Sequence, residues 1–352
     1  MNVFAAAVVA LVVSFIGTRL ALALANKHQL IIVPNARSSH AVPTPSAGGI
    51  GICLAVIVGL PVALLGGTAA ALGWVAASTA LAGWVGWRDD VRPLSPLLKM
   101  ALLTVAAGAL LLLGQLDGVT LPLAGRLNFG TLAVPLTLFW LVGFTNAFNF
   151  MDGIDGIAGL TVLVSGAAFA TAAVGVDDGV LMALGVVTAA AATGFLPWNF
   201  PRARIFMGDT GSLPLGLLLA FCAVRASDSG ALSFPASVLL LGPFVFDASF
   251  TLLRRLGRRE RVWEAHKEHL YQRLARRLGG HPSAALIYAA LAGTTSLLAL
   301  TYDGLSEFGQ ALCLLLALGC MLAFATVISR SEGAGETTQP GESTETEPRS
   351  DL

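Results

Sequence analysis

Apolar residues run along this chain in long blocks rather than in alternating pairs or narrow helical stripes. Eleven blocks approach or exceed the length needed to cross ~30 Å of hydrocarbon, at residues 3–25, 48–66, 69–87, 97–115, 131–147, 156–175, 178–196, 212–226, 231–253, 283–302 and 305–329. Several are rich in Gly and Ala, which suits close helix packing in lipid. The 212–226 block is the shortest and has weak boundaries. Between the fourth and fifth blocks, V-T-L-P-L-A-G-R-L-N-F-G reads as a small hairpin. Polar loops fall near 26–47, 88–96, 147–155, 197–211 and 254–282. The pattern predicts an all-α polytopic membrane protein of about eleven transmembrane helices. It forms one transmembrane domain over 1–330, followed by a Gly/Ser/Thr/Glu-rich tail from Ser331 to Leu352 expected to be disordered.

Composition agrees. The chain has 352 residues, 55% hydrophobic and 12% charged, with a mean hydropathy of +0.77; a soluble domain carries roughly 25% charge. The four cysteines, Cys53, Cys222, Cys313 and Cys320, lie in apolar runs without a C-x-x-C pair and read as filler. The first block lacks a basic leader and a small-residue cleavage site, so it reads as a retained span. Net charge is zero, yet 18 of the 21 Lys and Arg lie on the loops after spans one, three, five, seven and nine, in the C-terminal tail or at the mouth of span four. The positive-inside rule then puts that side in the cytoplasm, the N-terminus outside and the C-terminus inside.

The remaining polar clusters fall on that same side. Asn146, Asn149, Asp152 and Asp155 recur at spacing three in N-A-F-N-F-M-D-G-I-D-G, an amide and carboxylate set suited to a hard cation carrying phosphate, or to an Asx/Gly turn. Arg37, Ser38, Ser39, His40 and Thr44 in the first loop offer donors for phosphate, or form an ordinary Pro/Gly loop. Asp89 and Asp90 end span three and Lys99 opens span four. They read as a metal or base pair with a counter-charge, or as a charged stop. Asp209 stands in G-D-T-G-S before span eight, where a helix start would aim N–H groups at an anion, or where it is simply a cap. The basic arm 254–277 places His266, His269 and Gln272 at spacing three on one helical face. Phosphate contact suits these two histidines better than a metal, and a headgroup-binding helix is the alternative. Asp247 lies inside span nine and is a functional candidate or a bonded structural group.

Each cluster alone has an ordinary explanation. Their convergence on one face gives an inventory for Mg²⁺ and a pyrophosphate-linked substrate at a membrane boundary. In order, they resemble the polyprenyl-phosphate N-acetylaminosugar-1-phosphate transferases. The matching motifs are D-D-x-x-x-L-x-x-x-x-K (Asp89, Asp90, Leu94, Lys99), N-x-x-N-x-x-D-G-x-D-G (Asn146, Asn149, Asp152, Asp155) and the run from Asn199 to Leu213. The likeness spans Pro34 to about Leu274. The muramoyl-pentapeptide branch carries three consecutive histidines, whereas this chain has His266-x-x-His269-x-x-Gln272, closer to the enzymes that initiate O-antigen. Ser46 stands where many relatives carry Arg.

The resemblance implies a cytoplasm-facing cleft in a bacterial inner membrane. There N-acetylhexosamine-1-phosphate, of GlcNAc or a 6-deoxy relative, passes from a UDP-sugar to undecaprenyl phosphate with release of UMP. It implies Mg²⁺, with Mn²⁺ as an allowed substitute, on Asp209 and Asn149. Asp155, Asn199 and Phe206, with Arg37, Ser38 and His40 of the first loop, would bind the nucleotide-sugar. Asp89, Asp90, Lys99, Asp152, His266 and His269 would carry the chemistry. The implied partners are UDP-N-acetylhexosamine, undecaprenyl phosphate and membrane lipids, without nucleic acid, and a homodimer is an allowed assembly. The alternatives are phospho-N-acetylmuramoyl-pentapeptide transfer and, from another class, transport of anionic solutes. A transporter should place charges near the midplane on broken helices with repeat symmetry, and no repeat is visible here. An inert scaffold leaves the carboxylates unexplained. A transferase of CDP-activated alcohols would need a D-G-x-x-A-R-type pattern that is absent.

Overall fold

The computed structural model describes residues 2–28, 31–32, 43–63, 69–261 and 266–335. Each predicted block is helical. In chain order these are α1 (Val3–Lys27), α2 (Gly49–Ala63), α3 (Ala69–Val91), α4 (Pro96–Leu110), α5 (Ala133–Met151), α6 (Ile157–Val174), α7 (Gly179–Asn199), α8 (Asp209–Ser229), α9 (Phe234–Leu240), α10 (Gly242–Gly257), α11 (Leu270–Arg277), α12 (His281–Tyr302) and α13 (Glu307–Gly335). Among the described residues, eight helices are long and apolar enough to cross a membrane, and α9 with α10 counted as one span gives nine. The pattern predicted eleven. The difference is α2, only 15 residues long, and α3, which is not among the eight. The chain is an all-α, multi-pass membrane protein.

Three further differences have local causes. Span nine is not continuous, because α9 and α10 meet at 83°. Gly242-Pro243 stands just past the break, where proline lacks the N–H that would carry the α9 ladder onward and fits the first turn of α10. The weakest predicted span becomes the 21-residue α8, which begins three residues earlier at Asp209. Helix α13 continues to Gly335, past the predicted start of the tail; residues 336–352 lie outside the described set. The predicted hairpin is present as β3 (Gly118–Leu121) paired antiparallel with β4 (Gly125–Asn128), with Val119 opposite Leu127. A shorter ladder, β1 (Ile31–Ile32) with β2 (Thr44–Pro45), flanks the first loop.

Packing follows the rule for helices in lipid, where small residues let backbones approach. On α1, Ala6, Ala10, Ser14, Thr18, Ala21 and Ala25 form one buried stripe, while Phe4, Val8, Ile16 and Leu20 on the other side are exposed. The stripe faces α2 and α7, and Ser14 Oγ donates to Ala191 O at 2.6 Å. Helix α8 is the hub. It packs against α2, α3, α5, α6, α7 and α9, and Leu213 to Val224 are all buried along it. Because the helices alternate in direction, the C-terminal ends of α3, α5 and α7 meet the N-terminal ends of α4, α6 and α8 at one rim. At the opposite rim, Arg225 binds Asp178 (2.8 Å) and Asp228 (3.1 Å).

Candidate active site

The start of α8 fixes the site. A Cβ on Gly86 of α3 would overlap the carbonyl oxygen of Asp209, and one on Gly49 of α2 would overlap the backbone of Gly211. Both helices therefore touch α8 backbone to backbone at its first turn. Gly208, at φ +68°, makes the left-handed bend into α8. Asp90, a turn beyond Gly86, then reaches the free N–H groups of that first turn. It accepts from Asp209 N (3.0 Å), Thr210 N (3.0 Å) and Thr210 Oγ1 (2.7 Å). One helix thus supplies the cap of another. The neighbouring Asp89 points elsewhere. Its Oδ1 accepts from Leu94 N at 2.7 Å and its Oδ2 from Lys99 Nζ at 3.1 Å.

Lys99 lies one turn into α4, whose start is capped by Ser95. Its ammonium bridges Asp89 and Asp209. The other oxygen of Asp209 accepts from Asn149 Nδ2 at 2.8 Å, and Asn149 also donates to Ser212 Oγ at 2.8 Å. Both bonds use the amide nitrogen, which directs the amide oxygen away from Asp209. Four helix ends, α3, α4, α5 and α8, thus place Asp89, Lys99, Asn149 and Asp209 in one connected set. Helix α5 ends at Met151, so of the four polar residues at spacing three only Asn146 and Asn149 are helical; Asp152 and Asp155 sit in the turn to α6. Burial, reinforced by the charges of Asp209, Asp90 and Asp155, pushes the Asp152 carboxyl well above the usual range. A fourth negative charge is thus disfavoured there without a cation.

Beside this set lies a cavity of about 630 Å³ lined by Pro45, Asp155, Arg202, Arg204, Phe206 and His281, among others. Its walls are tied together from several elements. Asp155 accepts from Ala203 N (3.1 Å) and pairs with His281 Nδ1 (3.2 Å). Asn199 is 5% exposed and both ends of its amide are used, accepting from Gly156 N (2.8 Å) and donating to Ile205 O (3.0 Å). The backbone of 205–207 zips onto the end of the first loop through Phe206 N to Pro45 O, Gly48 N to Phe206 O and Gly49 N to Met207 O, at 2.8–2.9 Å. His281 carries no motif in the sequence and was missed there; only its place at the head of α12 brings it to the cavity. Arg37, Ser38 and His40 lie outside the described residues.

An apolar groove of about 380 Å³ runs between α5 and α10, lined by Phe139, Phe144, Asn146, Phe150, Val245 and Leu252 among others. Phe139 and Phe150 on its rim are exposed. Asn146 sits in its wall, one turn before Asn149.

The two histidines are close, but not on a helix as the spacing predicted. Helix α11 starts at Leu270, with His269 as its N-cap residue. The rings of His266 and His269 stack at 5.0 Å, and that of His269 lies 6.4 Å from Phe150. Tyr271 Oη donates to Phe150 O at 2.9 Å, docking α11 on the turn that carries Asp152. The segment is clamped from α10, with Arg254 Nη2 to Glu268 Oε2 at 2.7 Å and Arg255 Nη1 to Glu268 Oε1 at 2.8 Å. Burial, then the neighbouring His269 and Arg255, pushes His266 down to about 4, so its ring is neutral at pH 7.

The model of a family described as glycosyl transferase family 4 matches residues 72–227, the stretch from α3 to α8. A probable undecaprenyl-phosphate N-acetylglucosaminyl 1-phosphate transferase of Bacillus subtilis is 30% identical over 285 residues, covering 78% of this chain and 77% of that protein. A decaprenyl-phosphate N-acetylglucosaminephosphotransferase of Mycobacterium leprae is 32% identical over 301 residues, 75% of each. A phospho-N-acetylmuramoyl-pentapeptide-transferase of Synechococcus is 38% identical over 216 residues, 56% of this chain and 60% of that protein. With its helical bundle, its polar rim and relatives that cover three quarters of its length, the chain belongs to glycosyl transferase family 4, the polyprenyl-phosphate N-acetylaminosugar-1-phosphate transferase superfamily.

Proposed function

We propose that this protein transfers N-acetylhexosamine-1-phosphate, of GlcNAc or a 6-deoxy relative, from a UDP-sugar to undecaprenyl phosphate and releases UMP. The observation that carries the reading is the meeting of three surfaces at one rim. A charged set (Asp89, Lys99, Asn149, Asp209) stands beside a polar-walled cavity and an apolar groove. A water-soluble anion suits the cavity and an isoprenoid chain suits the groove. The relatives that cover most of the chain are named for N-acetylglucosamine phosphate transfer, which favours this reading over the muramoyl-pentapeptide one. The positive-inside bias supports a cytoplasmic site, an external N-terminus and an internal C-terminus, in a bacterial inner membrane.

Among the described residues no group of three or more His, Cys, Asp or Glu gathers as a metal cage. Mg²⁺ does not need one, because it is commonly held by one or two carboxylates while phosphate and water complete its shell. Lys99 already rests between two carboxylates here, so the spot stabilises a cation. Asp209 would hold Mg²⁺, and Asn149 would join it by turning its amide so that the oxygen, here directed away, faces the ion, with Asp89 or Asp152 adjacent. When bound, the ion neutralises charge on the diphosphate and aligns it.

The protein's own groups then act as follows. Asp155, Phe206, Arg202 and Arg204 line the cavity for the nucleotide, and Asn199 holds its wall in shape. Asp89 and Lys99 place the acceptor phosphate and offset its charge. That phosphate is largely ionised at pH 7, since its second pKa is about 6, so a strong base is not required. Its oxygen attacks the β-phosphorus in line, the bond to the bridging oxygen breaks, and UMP leaves. His266 and His269 contact phosphate oxygens. Asp90, fully engaged at the head of α8, keeps Asp209 in place.

The test is UMP release from purified protein given undecaprenyl phosphate, Mg²⁺ and a panel of UDP-sugars. Turnover with a UDP-N-acetylhexosamine is expected, lost on chelation and lost in Asp209→Asn with the fold intact. Absence of turnover with every UDP-sugar would refute the activity. Turnover that survives both EDTA and Asp209→Asn would refute the metal assignment.

A further inference from the structure

Asp247 is a buried carboxylate inside the bent span, 1% exposed, and no step above uses it. It is the meeting point of five donors from three helices and the loop before α11. Its Oδ1 lies 3.2 Å from His269 Nδ1 and accepts from Leu270 N at 2.9 Å and Thr251 Oγ1 at 3.2 Å. Its Oδ2 accepts from Tyr271 N at 2.9 Å and Tyr288 Oη at 2.6 Å. The two backbone N–H groups can only donate, and they belong to the first turn of α11, whose dipole favours an anion at this end. An ionised carboxylate is acceptor-only. The imidazole nitrogen facing it must therefore carry a proton.

This settles which edge of His269 is available. Nδ1 is committed to Asp247, and the ring is fixed further by stacking with His266 at 5.0 Å and Tyr271 at 5.7 Å. In the neutral ring Nε2 is then an acceptor, and in the protonated ring Nε2–H is the donor left for an anionic ligand. A free neutral imidazole has no such restriction, and the partner of one ring nitrogen sets the role of the other. We propose that Asp247 is a positioning residue for the transfer, holding His269 with Nδ1–H toward the carboxylate so that, with the ring protonated, Nε2–H is the group that donates to the diphosphate. The identity of that ligand rests on the function proposed above; the orientation of the ring does not.

Asp247→Asn keeps the size of the side chain but removes one acceptor oxygen. With ¹⁵N-labelled histidine, and the His269 signals identified by their loss in His269→Ala, Nδ1 of that ring should be protonated in the wild type, and Asp247→Asn should lose that Nδ1 proton and keep Nε2–H alone. Its kcat should fall by between about 10- and 100-fold, the range for loss of such an orienting partner, with KM for the UDP-sugar changed much less. In a His269→Ala background the same substitution should cost less than about threefold more, because the ring it orients is gone. An equal loss in both backgrounds would make Asp247 merely a brace for α11 and overturn the proposal. Should Asp247→Asn fail to fold, the paired variants His269→Gln and His269→Asn still decide. The Gln amide approximates Nε2 and the Asn amide Nδ1, so His269→Gln should retain at least tenfold more turnover, and the reverse order overturns the assignment. If the wild type itself turns over no UDP-sugar, the proposed function fails, while the ¹⁵N signals of wild type and Asp247→Asn still confirm or reject the ring orientation.

Discussion

Gly86→Ala should inactivate the protein without touching a polar group. The added methyl would overlap the Asp209 carbonyl oxygen and lie 2.5 Å from Thr210 N, where ordinary contact begins at 3.4 Å. Neither neighbour is a flexible side-chain end, and the carbonyl oxygen is closer than the Thr210 nitrogen, so α3 must retreat by more than about 0.9 Å. Asp89 and Asp90 ride on the next turn of α3. The retreat stretches the three bonds by which Asp90 caps α8 and shifts Asp89 against Lys99. Overpacking of this kind costs about 1–3 kcal/mol, offset by up to about 1 kcal/mol from the loss of glycine's freedom in a helix. The protein should therefore still fold, with a slightly lower Tm. Misplacement of a reacting group by about 1 Å can cost about 100-fold in rate, and that loss is expected in kcat for UMP release in detergent. Gly108→Ala on α4, where the methyl meets nothing within 4 Å, is the control and should be near wild type. If Gly86→Ala turned over at the wild-type rate, the backbone contact between α3 and α8 would not set the geometry of the carboxylates.

Two other outcomes follow from the charges. Lys99→Met leaves Asp89 and Asp209 facing each other without their cation. Stability should fall by about 2 kcal/mol, less than the 3–5 typical of a fully buried pair, because these side chains keep 16% to 23% exposure; added Mg²⁺ should raise the Tm of this variant more than that of the wild type, and a Tm unchanged by the substitution would show the bridge to be idle. His266, at about 4 in the fold against an ordinary 6.5, disfavours its own protonation, so its contribution is complete above pH 6.5, declines as pH falls from 6.5 to 4, and levels below that. His266→Asn should flatten the fall of Tm across that window, and a curve parallel to wild type would contradict the placement of the ring beside Arg255.

Hydropathy located every helix but the short, basic α11, because a bilayer demands long apolar runs, and the hairpin was announced by its turn. It could not see that span nine is two helices, although Gly242-Pro243 was the available signal. Nor could it divide labour between adjacent residues. Asp89 and Asp90 are equivalent in sequence, yet one meets Lys99 and the other caps α8, because successive side chains leave a helix about 100° apart. The spacing of Asn146, Asn149, Asp152 and Asp155 indicated a shared site, but α5 stops before the two carboxylates. The His266–His269 spacing suggested a helical face, whereas a loop carries both rings, held by Glu268 and Asp247. The sequence marked Asn199 and Asp247 but not what they act through, since their partners, Gly156 for one and His269 and Tyr288 for the other, lie far away in the chain.

The groove between α5 and α10 has a kinetic meaning. Its rim of Phe139, Phe150 and Leu252 is exposed on the flank of the bundle, so under the proposed function an isoprenoid chain would enter it sideways from the leaflet rather than from solution. Its effective concentration is then a mole fraction in the membrane. Diluting the detergent or the vesicles leaves that fraction unchanged, whereas diluting the isoprenoid among other lipids lowers it.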